Sequence, residues 1–577
     1  MNKNNKTETG DNGRIKPNNH QGSMPADTAE QPVVRKPHPK LAVRSFSDHA
    51  NQNSGNSATD SDSKKAKRPS LNEAFDALVE KYLNTSSFSF RDPACMTLEA
   101  NSSVYYPIKG EEVDEEVGIF LLSLGIHSDK KKREPVTDSL SFVAKRHGKN
   151  IHLRTRIFQS KKAIYYLAAQ NPPNIYRIGA KNIRKAPCFH SAGFLYSEVL
   201  ASQVKPDLSV KPEEFLSLLR QAFRVDEAQI HAFAAHLVSF FVPRIPSPVM
   251  IISGSKGTAK TTTTKQICSL VSPTISISVQ AFPTKESDLV AAVSDNYLTA
   301  FDNVAFPIKP SLSDILCQII TGGTYAKRRL YTDNGRFKTD LQGKLIFNGI
   351  DELAAKDDFA ERCFQINLEP ISPDERKTDA EISKNFEALR PKLLGCIFNI
   401  LREVQRVEEI EEHPLPRMAE FGQFGQKVMK VIKAPQKAFV EEYNESVEDL
   451  VADASERMPI VLAVKRALQD SDVIKGTPTN VAEILNDAAK EERIKMVLLT
   501  ANSVTKTLKK NRDALEHNGI TFELPEGRTN KRWIHIRHID GAEAVGKAEK
   551  ADLESEKIVS IVNELLERDE NESLDNL

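Results

Sequence analysis

The 577-residue chain is poor in the residues that would commit it to a secreted, membrane or metal-clustered class. It has six cysteines and a single tryptophan. Cys95, Cys188, Cys268, Cys317, Cys363 and Cys396 are scattered, with no C-x-x-C pair, and most lie in apolar surroundings such as "DILCQII". That spacing excludes a disulfide frame and a zinc ribbon and points to buried, reduced thiols. No run of about 18 uninterrupted apolar residues is present, and "MNKNNKTETGDNGRIK" lacks the apolar stretch of a signal peptide. A cytoplasmic protein with no membrane partner is expected. Net charge is also missing: 79 Lys and Arg balance 79 Asp and Glu. The balance hides an asymmetry, because residues 1–69 carry 12 basic against 7 acidic residues and residues 541–577 carry 4 against 11.

What is present is a composition of 40% hydrophobic and 27% charged residues, on a chain too long for one core. Residues 1–69, rich in Asn, Ser, Lys and Pro, cannot bury enough surface to offset ordering and read as a disordered polar tail. Residues 70–205 mix a helix, strand-like runs such as "KAIYYLA" and basic clusters such as "DKKKRE" and "AKRHGKNIHLRTR", which fits a small α+β domain of unassigned role. Residues 206–244 hold two apolar-faced helices that lead into the centre, with His231 and His236 read as packing residues. Residues 245–380 alternate short apolar runs with helical or loop segments, as α/β domains do, and 381–458 is mostly helical. Three helical stretches and then two strands, "ITFEL" and "RWIHIRHI", give 459–540 the order of a winged helix. The acidic remainder, 541–577, contains one amphipathic stretch, "KIVSIVNELLER".

The chemistry concentrates behind the apolar run "SPVMII". There Gly254, Ser255, Lys256, Gly257, Thr258, Ala259, Lys260, Thr261 and Thr262 nearly spell the phosphate-binding loop G-x-x-x-x-G-K-[ST]. Such a loop needs a strand, a turn with inward N–H groups, and a helix whose positive end meets the anion. Lys260 would reach the terminal phosphates and Thr261 would offer its hydroxyl to Mg²⁺. Ala259 replaces the second glycine, and one methyl group on a helical residue is expected to be tolerated. A second apolar run ends in Asp302, where a magnesium-coordinating acid belongs. A third ends in Asn348, suited to orienting water, and Arg362 precedes a further strand. Alone, each has a plain explanation as a strand-end acid, a turn asparagine or a surface arginine; the shared order favours an ATP site. Asn303 follows Asp302 where a glutamate would polarise water, so Glu286 or Asp288 takes that role or hydrolysis is slow.

Between Asp302 and Asn348, the run Asp333-Asn334-Gly335 signals a tight two-residue hairpin. Lys327, Arg328, Arg329, Arg336 and Lys338 load it with charge suited to nucleic-acid phosphates, and Tyr331 and Phe337 are interleaved. A solvated edge hairpin protected by charge is the plainer possibility. In the C-terminal region "NSVTKTLKKNRDALEHNGI" opens on the cap residues Asn502 and Ser503 and carries Lys506, Lys509, Lys510 and Arg512; Arg528, Lys531 and Arg532 fall on the wing.

The motifs "GSKGTAKTT", "AFDNV", "SDILCQIITGG….RRLYTDN", "IFNGI" and "DFAERCFQINL" resemble those of superfamily 3 AAA+ helicases. The likeness is greatest to the P-loop ATPases found beside primases in phages, satellites and integrated mobile elements. It is good over about 245–372 and weaker to 540. It implies an α/β fold with an AAA+ (P-loop) ATPase core, an N-terminal α+β domain and a C-terminal winged-helix-like domain. It further implies a homo-oligomeric ring, usually a hexamer, that uses ATP and Mg²⁺ and works beside a primase or other replication proteins. Single-stranded DNA would occupy the pore and duplex the winged helix. In that pattern Lys260 and Thr261 are the phosphate and Mg²⁺ residues, Asp302 the metal-site acid, Asn348 the sensor, Arg362 the finger reaching a neighbour's nucleotide, and the basic hairpin the pore loop. An ATP-dependent DNA helicase or replication-initiation ATPase is the expected function; an ATP-binding ring or clamp acting as a regulatory or defence switch is the alternative.

Overall fold

Five short runs between Val249 and Asn367 close into one parallel sheet. The computed structural model describes residues 69–539 except 86–87, 90–92, 100–101, 187–191, 256, 276–278, 305–307, 329–335, 342, 350–356, 373, 375, 412, 414, 416 and 525–532. Both terminal tails read from the sequence lie outside the described residues. In space the strands run Gln280–Ala281, Leu298–Asp302, Lys344–Asn348, Val249–Ser253, Cys363–Asn367. Every neighbouring pair is parallel. The three central strands are buried residue after residue, so both faces are covered and the sequence shows unbroken apolar runs instead of alternation. Phe282, Phe301 and Phe347 meet edge to face with centroids 5.2–5.8 Å apart. Because the strands are parallel, Ser253, Asp302, Asn348 and Asn367 end on one edge of the sheet.

The basic hairpin is present, and its expected turn, Asp333-Asn334-Gly335, lies outside the described residues. Gly323–Arg328 pairs antiparallel with Arg336–Leu341, and Arg328 stands opposite Arg336. A two-residue Asn-Gly turn would set Asp333 against Arg336. The observed register instead leaves seven residues, 329–335, between the strands, and these lie outside the described residues with Arg329 among them.

The two helices before the centre are Phe215–Ala222 and Ile230–Ser239, each led in by a short 3-10 turn. His231 does not simply pack: its Nδ1 lies 2.6 Å from Glu442. His236 is wholly buried among Phe240, Phe364 and Phe421, with Nε2 3.0 Å from the Pro248 carbonyl. Helices Asp379–Val404, Ala419–Ile432 and Gln436–Glu456 complete this core.

Residues 70–205 form an α+β region with helices Leu71–Thr85, Glu111–Ser123 and Lys130–His147. Its four-stranded antiparallel sheet runs Ile157–Gln159, Ala163–Gln170, Pro173–Gly179, Ile183–Lys185. Ala163, Tyr165 and Leu167 belong to the core built with the three helices, whereas Ile164, Tyr166 and Ala168 belong to the central core. Alternate residues of one strand thus serve two cores, which is why "AIYYLAA" carries no polar face.

Residues 459–539 have a third core of their own. Helices Pro459–Asp470, Pro478–Glu491 and Ala501–Lys510 are followed by the short helix Arg512–His517. The strand Val473–Gly476, not expected from the sequence, pairs with Ile534–His538, which pairs with Ile520–Glu523. The cap of Ala501–Lys510 is also corrected: Thr500 accepts from the Ser503 N–H, so Ser503 is the reciprocal partner and not the cap. Among the described residues no helix is long and apolar enough to cross a membrane.

Candidate nucleotide and nucleic-acid sites

The Val249–Ser253 strand runs into a turn and then the helix Lys260–Val271, as a phosphate loop requires. Gly254 has φ +149°, and a Cβ there would come within 2.7 Å of Thr258 Oγ1, whose hydroxyl donates to the Ser255 carbonyl at 2.9 Å. Gly257 has φ +87° with open space around it. Ala259 is not helical: at φ +61° and ψ +31° it occupies the left-handed region that glycine adopts without strain. The sequence position thus keeps the glycine conformation although it has lost the glycine. Lys260 folds back over the turn, its Nζ donating to the carbonyls of Gly254 at 2.5 Å and Ser255 at 3.1 Å. Thr261 and Thr262 are half-buried on the first helical turn, and Lys256 lies outside the described residues.

Asp302 ends its strand half-exposed, and Asn303 follows it at φ +50°. Asn348, on the strand between, is fully buried. Its Oδ1 accepts from the Asn303 N–H at 3.3 Å and its Nδ2 donates to Thr264 Oγ1 at 3.1 Å; Thr264 in turn donates to the Lys260 carbonyl at 2.9 Å. These bonds form one continuous line from the residue beside Asp302 to the backbone of Lys260. A second crevice, lined by Gln280, Thr284, Asp302, Asn303 and Lys309 among others, adjoins this edge; neither Glu286 nor Asp288 lines it. Among the described residues no group of three His, Cys, Asp or Glu side chains is placed to hold a metal. Thr261 and Asp302 supply one hydroxyl and one carboxylate, a donor set suited to Mg²⁺, which takes few protein ligands and fills its shell with phosphates and water.

Beside the loop opens a cleft of about 770 Å³, within the range of small-molecule sites. One wall is Gly257, Thr258, Ala259 and Thr262; the opposite walls bring Arg220, Phe223 and Arg224 from one segment and Arg376, Lys377, Ile382 and Phe386 from another. Phe223 and Phe386 meet edge to face at 5.8 Å. Arg224 donates to the Pro370 carbonyl at 3.2 Å, while Arg220 is paired with Glu227. None of these residues was singled out in the sequence, because no motif joins segments some 150 positions apart; only the Phe/Arg content near the helix ends carried any signal.

Arg362 is not brought to this edge. It precedes Cys363–Asn367, whose last residue pairs with Ser253, so it stands about 16 Å away along the strand, at the opposite edge. Its guanidinium donates to the Asp358 carbonyl and carboxylate, both at 3.1 Å. Burial works to raise the Asp358 pKa, but the hydrogen bond and charge of Arg362, with Arg417 also paired to it, hold that carboxyl below its usual range.

The far end of the loop helix is also tied down. Tyr166 donates to the Val271 carbonyl at 3.0 Å, and Gln203 donates to the carbonyls of Ser269 at 3.1 Å and Leu270 at 2.9 Å. Arg156, fully buried, donates to Pro273 at 2.7 Å, Leu167 and Ala201 at 2.9 Å, and Ser272 Oγ at 3.3 Å. Burial pushes its pKa down, yet four acceptors and the negative end of the helix favour the cation. The N-terminal region therefore caps the helix whose other end opens from the glycine-rich loop.

For the nucleic-acid candidates, the register aligns Arg328 with Arg336 and sets Lys327 opposite Phe337 and Lys338 opposite Ala326. Lys506, Lys509 and Lys510 are exposed on their helix, whose Val504 and Leu508 are buried. Arg512 is committed elsewhere, lying 4.2 Å over the Phe522 ring and bonded to Glu516 at 3.2 Å. The wing residues Arg528, Lys531 and Arg532 lie outside the described residues.

A family model described as an actinomycete integrative conjugative element replication protein matches residues 216–453, from the first core helix to the last. No curated protein matches. Among solved structures, the SCCmec type IV Cch, titled an active helicase, is 11% identical, with 78% of this chain and 91% of that chain covered at a TM-score of 0.40. The apo A form of the NrS-1 C-terminal region is 13% identical, covering 81% of this chain and 98% of its own at 0.36. Likeness at this level assigns no residue a role.

Proposed function

We propose that the chain is an ATP-dependent DNA helicase that starts replication of a mobile genetic element, built on a superfamily 3-type AAA+ core and working as a ring. The observation that carries this is that the strand ending in Asp302 and the strand leading through the glycine-rich loop to Lys260 and Thr261 finish at the same end of the sheet, with a cleft of about 770 Å³ beside the loop. The match of residues 216–453 to a replication protein of integrative elements supports the biological setting.

In this reading the loop N–H groups and Lys260 hold the phosphates, and Thr261 with Asp302 holds Mg²⁺, which supplies charge neutralisation when bound. The Phe223, Ile382 and Phe386 side of the cleft takes the base, with Arg220, Arg224 and Arg376 around it. Arg362, at the opposite edge of its own sheet, acts on the nucleotide of a neighbouring copy. The hairpin grips single-stranded DNA: its strands set Arg328 and Arg336 at paired positions, a concentration of positive charge suited to phosphates. The helix–strand–helix–helix–strand–strand order of 459–539, a short helix intervening before the last two strands, supports a winged helix, with Lys506, Lys509 and Lys510 presented toward duplex.

DNA-stimulated ATP hydrolysis tests the reading. Lys260→Ala and Arg362→Ala each abolish it, and a mixture of the two variants recovers part of the rate, because some junctions then combine an intact loop with an intact arginine. Full rates in either single variant would sink the proposal. A second reading, an ATP-driven assembly switch without unwinding, is favoured by Asn303, since the residue after Asp302 in the sequence is not a carboxylate and, among the described residues, neither Glu286 nor Asp288 lines the adjoining crevice. Strand separation on a forked DNA distinguishes the two.

A further inference from the structure

Residues 139–197 contain eleven Lys and Arg and not one Asp or Glu. The folded chain gathers part of this excess at one end of the four-stranded sheet. Ala163 pairs with Gly179, so the turn Ser160-Lys161-Lys162 and the turn Ala180-Lys181-Asn182 sit side by side. Two residues in, Arg177 stands directly opposite Arg184 on the edge strand. Exposed Arg244 joins the same end, its N–H donating to Gln159 Oε1 at 3.2 Å. Among the described residues, Lys162, Arg177, Lys181, Arg184 and Arg244 form no ion pair. Gln405 reaches the Ile178 carbonyl at 3.4 Å and brings Glu403 into the neighbourhood, but Glu403 is held by Arg402 and Arg406, each at 2.9 Å.

We infer that this end of the sheet is a binding surface for the phosphate backbone of duplex DNA, separate from the pore hairpin and from the C-terminal helix. Four adjacent strands at about 4.8 Å spacing make a basic edge about 14 Å wide, comparable to the ~12 Å major groove that phosphates border. Single-stranded DNA fits less well, because it needs exposed rings to stack on, and Tyr165, Tyr166 and Tyr176 are all buried. A sheet edge guarded only against pairing needs one charge; it does not need two arginines in register, which cost stability until an anion bridges them. Contacts of this kind position duplex without reading its sequence.

The inference shares with the proposed function only the premise that the chain works on DNA. Its test therefore uses the full chain without nucleotide, so that failed hydrolysis or unwinding leaves it standing. Binding of a 30-base-pair duplex is followed by fluorescence anisotropy across a salt series, for wild type and for Lys162→Gln/Lys181→Gln/Arg184→Gln. Each lost phosphate contact flattens the log–log salt slope by about 0.9, so the triple variant loses about two to three from the slope and binds at least about tenfold more weakly in low salt. The three side chains are exposed on turns and an edge strand, and an unchanged thermal melt verifies the fold. Equal slope and affinity in wild type and variant overturn the inference, as does the same loss on single-stranded DNA with none on duplex.

Discussion

Asn348 Nδ2 donates to Thr264 Oγ1 across 3.1 Å, joining the middle strand of the site to the helix that begins with Lys260. The other end of the same amide holds the Asn303 backbone. Each end of the amide makes one protein bond and keeps one further N–H or lone pair, so the side chain ties two elements together whether or not it also orients water. The side chain thus bridges the residue after Asp302 to the helix that opens with Lys260.

Thr264→Val separates these roles. It leaves Asn348 in place, removes the hydroxyl partner and strands a buried amide donor, at a cost of about 1–3 kcal/mol in denaturant unfolding. If Asn348 acts by this bridge, Thr264→Val and Asn348→Ala lower ATP affinity and turnover together and to similar extents. A Thr264→Val enzyme of normal kcat beside an inactive Asn348→Ala enzyme returns the water-orienting role to Asn348.

Ala259→Gly is expected to stabilise the protein. The left-handed backbone costs an alanine about 1 kcal/mol, partly offset by the larger unfolded-state entropy of glycine, so a net gain of about 0.5 kcal/mol is the expected size. Denaturant midpoints measure it, and a loss of stability would show that the φ of +61° is not what the site adopts.

Arg156→Met tests the cap at the other end of the helix. Four acceptors lose a buried donor, and a loss of about 2–4 kcal/mol is expected from unfolding curves. Nucleotide affinity falls as well, although Arg156 is a full helix length from the loop. Unaltered affinity in a folded Arg156→Met protein would confine the residue to structure.

Burial holds the His236 pKa down to about 3, with the Pro248 hydrogen bond opposing and Lys344 adding to the effect. The unfolded chain takes up a proton below about pH 6.5 that the folded chain refuses, so stability falls as pH drops from about 6.5 towards 3. This one group contributes about 1.4 kcal/mol per pH unit. His236→Phe flattens the acid limb of the stability curve by that slope; parallel curves would contradict the assignment.

The parts of this architecture that depend on local patterning were legible in the sequence. The loop, the strands ending in Asp302 and Asn348, and the helix pair before the core all follow from short-range signals. The hairpin was legible as a hairpin but not in register: Asn334-Gly335 signals a tight turn that would set Asp333 against Arg336, whereas Arg328 holds that place. The strand Val473–Gly476 was missed because its four residues acquire strand character only from Ile534–His538, some sixty positions later. The Phe223 and Phe386 side of the cleft and the Arg156 cap were illegible for one reason: each is assembled from segments no local window contains.

The strand Ala163–Gln170 sends alternate side chains into two different interiors. A boundary at residue 205, natural in a linear reading, therefore cuts through packed hydrophobic contacts. Excising residues 70–205 would leave bare the patch that Ile164, Tyr166 and Ile178 cover and release the end of the helix Lys260–Val271. The parallel-sheet region of this chain is thus not a portable cassette: whatever the N-terminal part does, the two would have to be inherited, expressed and exchanged as one piece.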